Sequence, residues 1–373
     1  MHMTKYTQLL GLSAGLAMMA SASLADSIAP ETFSATLGVG ESVTINKTVT
    51  VDSEISTSRA DVMFLVDTTG SMTSTIAAVR NNLNDILANA GALGDVQFGV
   101  AEYRDFVVPG RPWGSSGDFP FRLNQSITSD AAAVTTAIGG LTVSGGNDIP
   151  ESNLYALQQT AVDPAIGWRA GAARIVVWFG DAPGHDPNTT PGYPGPTLAQ
   201  TIASLTAADI SVIGVNAPSG PGIDTGFGST PAGQATAITN ATGGSLFNLG
   251  ATGSIVDEID DAITAVFSSY SSVSLSPVGV PAGVGVEVSA PHLGTFDRSE
   301  TRFFDFTVTF TGLAPGTHDF TIDALVDRGV VATEKDRITV TGDTSVIPLP
   351  ATGWLLLGGL GALGALSRRR KAA

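Results

Sequence analysis

Between residues 61 and 249, short apolar runs alternate with longer amphipathic stretches, and runs such as "DVMFLVD" (61–67) and "RIVVWFG" (174–180) have no polar face. A strand that is apolar on both sides must be covered on both sides. Helices on each face of a mostly parallel sheet meet that requirement. Further candidate strands are "QFGVAEY" (97–103), "FRLNQSI" (121–127), "ISVIGVN" (210–216) and "SLFNL" (245–249). Helical stretches fill the gaps at 73–90, 130–141, 151–162, 197–209 and 255–270. The pattern predicts an α/β, doubly wound domain over residues 59–271.

On either side of that block the period changes to two. Val43, Ile45, Val49 and Val51 share one face of "SVTINKTVTV", and Phe304, Phe306, Val308 and Phe310 share one face of "TRFFDFTVTF". Residues 319–326 and 330–340 continue the alternation, which marks half-buried antiparallel strands. The N-terminal flank has too few strands for a sheet of its own. Residues 26–58 are therefore expected to pair with residues 272–343 in one all-β sandwich, with the α/β domain inserted in it.

The two ends carry transport signals. An apolar stretch from Leu9 to Ala20, followed by "SASLAD", predicts a secretory signal peptide over 1–25, cut before Asp26. Cysteine is absent, so the exported protein must rely on its cores and on bound ions rather than disulfides. At the other end, "VIPLPATGWLLLGGLGALGALSRRRKAA" places an apolar run from Trp354 to Leu366 before Arg368, Arg369, Arg370 and Lys371. That order describes a short membrane segment with a basic cytoplasmic stop. It is shorter than the roughly 20 residues of a stable span, so it reads as a transient inner-membrane anchor. Residues 344–373 resemble the VPLPA-type sorting signals that exosortases process, through Pro348, Leu349, Pro350 and Ala351. The same letters spell "LPATG", the motif of sortases. Either resemblance implies delivery to the cell envelope, cell surface or extracellular space.

Thirty-four acidic against 18 basic residues give a net charge of −16. Such a balance argues against nucleic acid as a partner and favours cations. In open α/β sheets ligands bind at the carboxyl ends of the strands, where Asp67 stands. Asp67, Thr69 and Ser71 follow a D-x-T-x-S spacing that lets one turn aim a carboxylate and two hydroxyls at a point, as a hard cation requires. Taken alone, the same letters could be a turn or a helix N-cap.

"DVMFLVDTTGSM", with "DIPES" and "FGDAPGH" following in order, resembles a von Willebrand factor type A domain of the integrin β kind. The resemblance covers residues 61–270 and implies a metal-ion-dependent adhesion site. By that resemblance Asp67, Thr69, Ser71, Glu151 and Asp181 would hold Mg²⁺ or Ca²⁺, Asp181 directly or through water, leaving one position for a carboxylate of the partner. A second calcium site would use Asp105, Asp148, the Pro150 carbonyl and Glu151. Gly146 stands where the family has asparagine, with Asn147 adjacent. Ser74 and Thr75 replace the acids of the family's third site, which is expected to be absent. Integrin β chains also insert this domain into a sandwich.

Other chemistries find little support. No G-x-S-x-G elbow, phosphate-binding loop or zinc motif occurs. His185 is expected to pack as a polar loop residue beside Asp181. The expected function is cation-dependent adhesion or matrix binding to an acidic protein or polysaccharide. A structural envelope or biofilm-matrix protein, with a metal that only holds loops, is the alternative, and a hydrolytic enzyme is a remote one.

Overall fold

The computed structural model describes residues 26–53, 57–249, 255–327 and 329–342. The predicted signal peptide and the C-terminal sorting segment, including Pro348 to Ala351, lie outside the described residues. Among the described residues no helix is long and apolar enough to cross a membrane.

In chain order the elements are β1 (Ser27–Ala29), β2 (Thr32–Gly38), β3 (Ser42–Val51), β4 (Thr57–Asp67), α1 (Thr73–Ala92), β5 (Gly94–Tyr103), β6 (Arg122–Thr128), α2 (Ala131–Gly140) and α3 (Asn153–Val162). There follow β7 (Ala173–Gly180), α4 (Leu198–Ala207), β8 (Ile210–Asn216), α5 (Gln234–Thr242), β9 (Leu246–Asn248) and α6 (Ile255–Ser268). The chain continues with β10 (Ser269–Val278), β11 (Val284–Val288), β12 (His292–Asp297), β13 (Arg302–Gly312), β14 (Gly316–Val326) and β15 (Gly329–Thr341).

Six strands form the central sheet in the order β6-β5-β4-β7-β8-β9, parallel throughout except for the antiparallel edge strand β6. The uniformly apolar β4 has a direct cause here. Val62, Phe64 and Val66 pack with Ile76, Val79 and Leu83 of α1, Ile138 of α2 and Ile259 of α6. Met63 and Leu65 face the other way, onto Leu154 and Leu157 of α3, Leu205 of α4 and Ile238 of α5. Burying a side chain of this size contributes roughly 1.5–3 kcal/mol, so the middle strand is the sheet's anchor.

The remaining strands form two further sheets, β1-β3-β13-β11 and β12-β10-β14-β15-β2. The strand β3 lies antiparallel to β13 from Ser42 opposite Thr311 to Val51 opposite Arg302, and β2 runs parallel to β15. Between the two sheets lies an apolar layer that includes Val49, Val51, Phe304, Phe306, Val308, Phe310, Ile322, Ile338 and Val340. This is the alternation seen in the sequence: Phe304, Phe306, Val308 and Phe310 are buried while Phe303, Asp305, Thr307 and Thr309 point outward or stand half-exposed.

Candidate metal centre

The parallel ladder of β4 carries Asp67 to the carboxyl edge of the sheet, and Thr68 N–H extends the pairing to the Tyr103 carbonyl (3.0 Å). Beyond it the chain turns through a short 3-10 segment, Gly70–Met72, into α1. The turn fixes the Asp67 carboxylate on one side only. Thr69 donates to Oδ1 from both its backbone N–H (2.8 Å) and its hydroxyl (2.7 Å). The other oxygen, Oδ2, is buried and has no hydrogen-bonding partner among the described residues. Thr69 Oγ1 and Ser71 Oγ lie 3.4 Å apart, and Ser71 is exposed.

Two neighbouring loops bring further acids to this edge. Glu151 is fastened to the loop after β7 by its N–H to Pro183 O (3.0 Å) and by His185 N–H to its own carbonyl (2.9 Å). Its Oε2 is also buried without a partner. A Cβ added at Gly146 would stand 3.2 Å from Glu151 Oε1 and 3.3 Å from Thr69 Cβ, so the Glu151 carboxylate and Thr69 meet at this glycine. Asp181 directly follows β7 and is buried, with Oδ2 accepting from Ser219 Oγ (2.7 Å).

The electrostatics describe acids held out of water beside one another. Burial, and then the neighbouring Asp181 charge, push the Asp67 carboxyl up to about 7 against the pull of the Thr69 hydrogen bonds. Burial together with the charges of Asp67, Asp105, Asp148 and Asp118 holds Glu151 well above the usual carboxylate range. Buried acids with unpartnered oxygens and mutual repulsion are costly unless a cation compensates them. The donor set, carboxylates plus two hydroxyls, suits a hard divalent ion.

A second cluster lies beside the first. Asp105, Asp148 and His185 each offer a ligand atom within 4.8 Å of the others. His185 Nε2 stands 3.5 Å from Asp105 Oδ2 and 3.3 Å from Asp148 Oδ2. The Tyr193 hydroxyl donates to Asp105 Oδ1, as does the Phe106 N–H (2.6 Å). Burial raises the Asp105 carboxyl to about 7, with Tyr193 and His185 drawing it down. Among the described residues Asp67, Glu151 and Asp181 do not form such a tight triad of acid atoms.

Residues 56–188 match the family model described as the integrin beta chain VWA domain. The matched segment is 133 of the 373 residues. Among solved structures, a von Willebrand factor type A protein from Catenulispora acidiphila is similar at 16% identity, over 87% of this chain and 76% of that one, with a TM-score of 0.41. The pilus adhesin SpaC from Lactobacillus rhamnosus GG, in its open conformation, is similar at 12% identity over 80% of this chain and 45% of its own, TM-score 0.37. Proximal thread matrix protein 1 from the mussel byssus follows at 13%, 61% and 48%, TM-score 0.36. This chain thus spans less than half the length of the last two. No curated protein sequence matches it.

Within residues 57–249, the surroundings of several residues differ from or add to what the sequence suggests. His185 sits between Asp105 and Asp148, against the Tyr193 ring at 4.4 Å between centroids. The residues that surround it come from three separate loops, so no local spacing announces the contact. Asn147 does not take the place of the asparagine that Gly146 lacks, because it is exposed and donates to Pro112 O (2.7 Å). Sequence reasoning also passed over Asp118. This acid accepts from Ser115 N–H (2.6 Å) and Gly146 N–H (3.1 Å), faces Arg104 at 3.6 Å, and so fixes the loop that leads to Glu151. Only its place in a Gly/Ser-rich loop, "GSSGDF", hinted at such a role.

Proposed function

We propose that this chain is an exported, surface-delivered adhesion or matrix-binding protein that holds an acidic protein or polysaccharide through a divalent cation, Mg²⁺ or Ca²⁺. Asp67, Thr69, Ser71, Glu151 and Asp181 are the proposed metal ligands. The single observation that carries this reading is the pair of buried, unpartnered oxygens, Asp67 Oδ2 and Glu151 Oε2, on carboxylates that both adjoin Thr69. When bound, the cation supplies a positive centre that a negatively charged partner can approach despite the acidic surface of the protein. Ser71 and Gly70 are exposed while the acids are buried, so the approach is from the Ser71 side. Asp105, Asp148, the Pro150 carbonyl and Glu151 form the proposed second site, with His185 now added to it. Processing of the C-terminus by an exosortase-type enzyme, after transient anchoring in the inner membrane, belongs to the same proposal and rests on residues 344–373.

Thermal melts with and without chelator test the metal reading. Wild type gains melting temperature on addition of Mg²⁺ or Ca²⁺, because a ligand of the native state stabilises it by mass action. Asp67→Ala removes one charged ligand and opens no apolar cavity, so it folds yet gains much less. Equal cation-induced gains in both proteins would assign the effect to other surface acids and remove the basis of the proposal.

A further inference from the structure

Far from the metal centre, three ionisable side chains stand inside the apolar layer of the sandwich. Lys47 on β3 and Glu334 on β15 are 0% exposed, and Asp336 on β15 is 3% exposed. They come from opposite sheets and meet in the middle. Lys47 Nζ contacts Glu334 Oε1 and lies 3.9 Å from Asp336 Oδ1. The rings of Phe33 and Phe310, stacked at 5.3 Å, each stand 5.9 Å from Nζ. Across the strands Lys47 is paired with Phe306, Glu334 with Ile322, and Asp336 with Phe320 and Phe33. Apart from one another, the three side chains have no hydrogen-bonding partner among the described residues.

A plain ion pair is a poor explanation for this arrangement. Taking the charges out of water costs several kcal/mol each, and buried pairs recover that only with further hydrogen bonds, which are missing here. An amine pressed on a carboxyl group in a dry slot has another outcome. We propose that Lys47 and Glu334 condense to an intramolecular amide, with Asp336 relaying the proton. In apolar surroundings a proton passes from the ammonium to the Glu334 carboxylate, leaving a neutral amine and a neutral acid. The Nζ lone pair then attacks Glu334 Cδ and forms the C–N bond. Asp336 takes the proton that nitrogen sheds and returns it to the departing hydroxyl, the C–O bond breaks, and one water leaves. Ammonium plus carboxylate becomes amide plus water, without oxidant, reductant or co-reactant. Fixed proximity supplies the high effective concentration such a step needs, and exclusion of water disfavours the return. Burial raises the Asp336 carboxyl, which suits a group that must hold a proton in passing.

The bond has a mechanical meaning. Lys47 precedes the α/β unit in the chain and Glu334 follows it, so the amide closes a covalent ring around the whole inserted unit and ties one sheet of the sandwich to the other.

Tryptic mapping of the purified full-length chain, denatured before digestion, tests the proposal. Cleavage after Arg328 and Lys335 releases Gly329–Lys335, which contains Glu334 but not Asp336. The expected product joins this peptide to the one containing Lys47, is lighter than their sum by one water, and shows no cleavage after Lys47. Lys47→Arg and Asp336→Asn give only the linear peptides. Free cleavage at Lys47 in the wild type, attachment at Asp336 instead of Glu334, or an intact link in Asp336→Asn would overturn it.

Discussion

At the scale of single residues, Asp67 shows how a strand end can hold an acid out of water. Its backbone completes a buried strand, yet half of its carboxylate has nothing to bind, and Glu151 is in the same condition nearby. This makes the chelated protein pH-sensitive in a particular direction. Asp67 and Asp105 are raised to about 7 in the folded protein, from an ordinary value of 3.8, and Glu151 is raised as well. A carboxyl raised on folding binds its proton more tightly in the native state, so stability is fully present below the ordinary value and is lost as pH rises through about 7. The contribution is on the order of 4 kcal/mol for a group displaced this far. Melting temperature in the presence of chelator should therefore fall from about pH 4 to about pH 7, and saturating Ca²⁺ should flatten or reverse the slope. A rising melting curve in chelator would mean that the acids are already solvated or paired. The position of Asp67 was legible in the sequence because a strand end and a turn motif are both local. The partner of His185 was not, since Asp105, Asp148 and His185 belong to loops far apart in the chain.

At the scale of elements, the loops at the carboxyl edge are held by backbone geometry as much as by charge. Gly145 adopts φ +76°, and a Cβ there would fall on the Asp118 carboxylate that Ser115 and Gly146 hold in place. Gly145→Ala should cost about 1–3 kcal/mol through left-handed strain alone. It should also weaken the cation-induced gain in melting temperature, because the displaced loop carries Glu151; an unchanged gain would separate that loop from the metal. Most elements could be read from periodicity: helix 73–90 is found as Thr73–Ala92, and helix 197–209 as Leu198–Ala207 with a capping box between Thr197 and Gln200. The helix Gln234–Thr242 was missed, since threonine and asparagine occupy much of it and Gly233, at φ +92°, starts it without a capping side chain. The strands Val284–Val288 and His292–Asp297 were missed too; they are short, and His292–Asp297 has no buried residue to set a period. The alternation that places Val43, Ile45, Val49 and Val51 on one face also places Lys47 there. What it faces could not be read, because Glu334 stands on a strand almost at the other end of the described chain.

At the scale of the whole molecule, the entry and exit of the α/β unit meet at one side chain. Arg298 donates to both oxygens of Asp26 (2.8 and 2.7 Å), to Asp52 O (2.7 Å) where the chain leaves the sandwich, and to Phe267 O (3.0 Å) where it returns. Arg298→Ala strands the buried Asp26 carboxylate and should destabilise the protein by about 3–5 kcal/mol, read as a lower denaturant midpoint. The C-terminal strands depend on β1 to β3 for their pairing. In the sheet β1-β3-β13-β11, the strand β3 lies between β1 and β13, and β2 covers the edge of β15. Residues 269–342 alone would keep β13 paired with β11 only, lay bare the Phe304, Phe306 and Phe310 face beside the missing Val49 and Val51, and leave Glu334 and Asp336 without Lys47. An exposed apolar edge and two uncompensated buried acids together are more than a small β domain can carry against a net stability of roughly 5–15 kcal/mol. That segment should fail to unfold cooperatively, whereas the same segment joined through a flexible linker to residues 26–53 should recover a two-state transition. Cooperative unfolding of residues 269–342 alone would show that the C-terminal strands form a domain in their own right, with β1 to β3 only an addition to it.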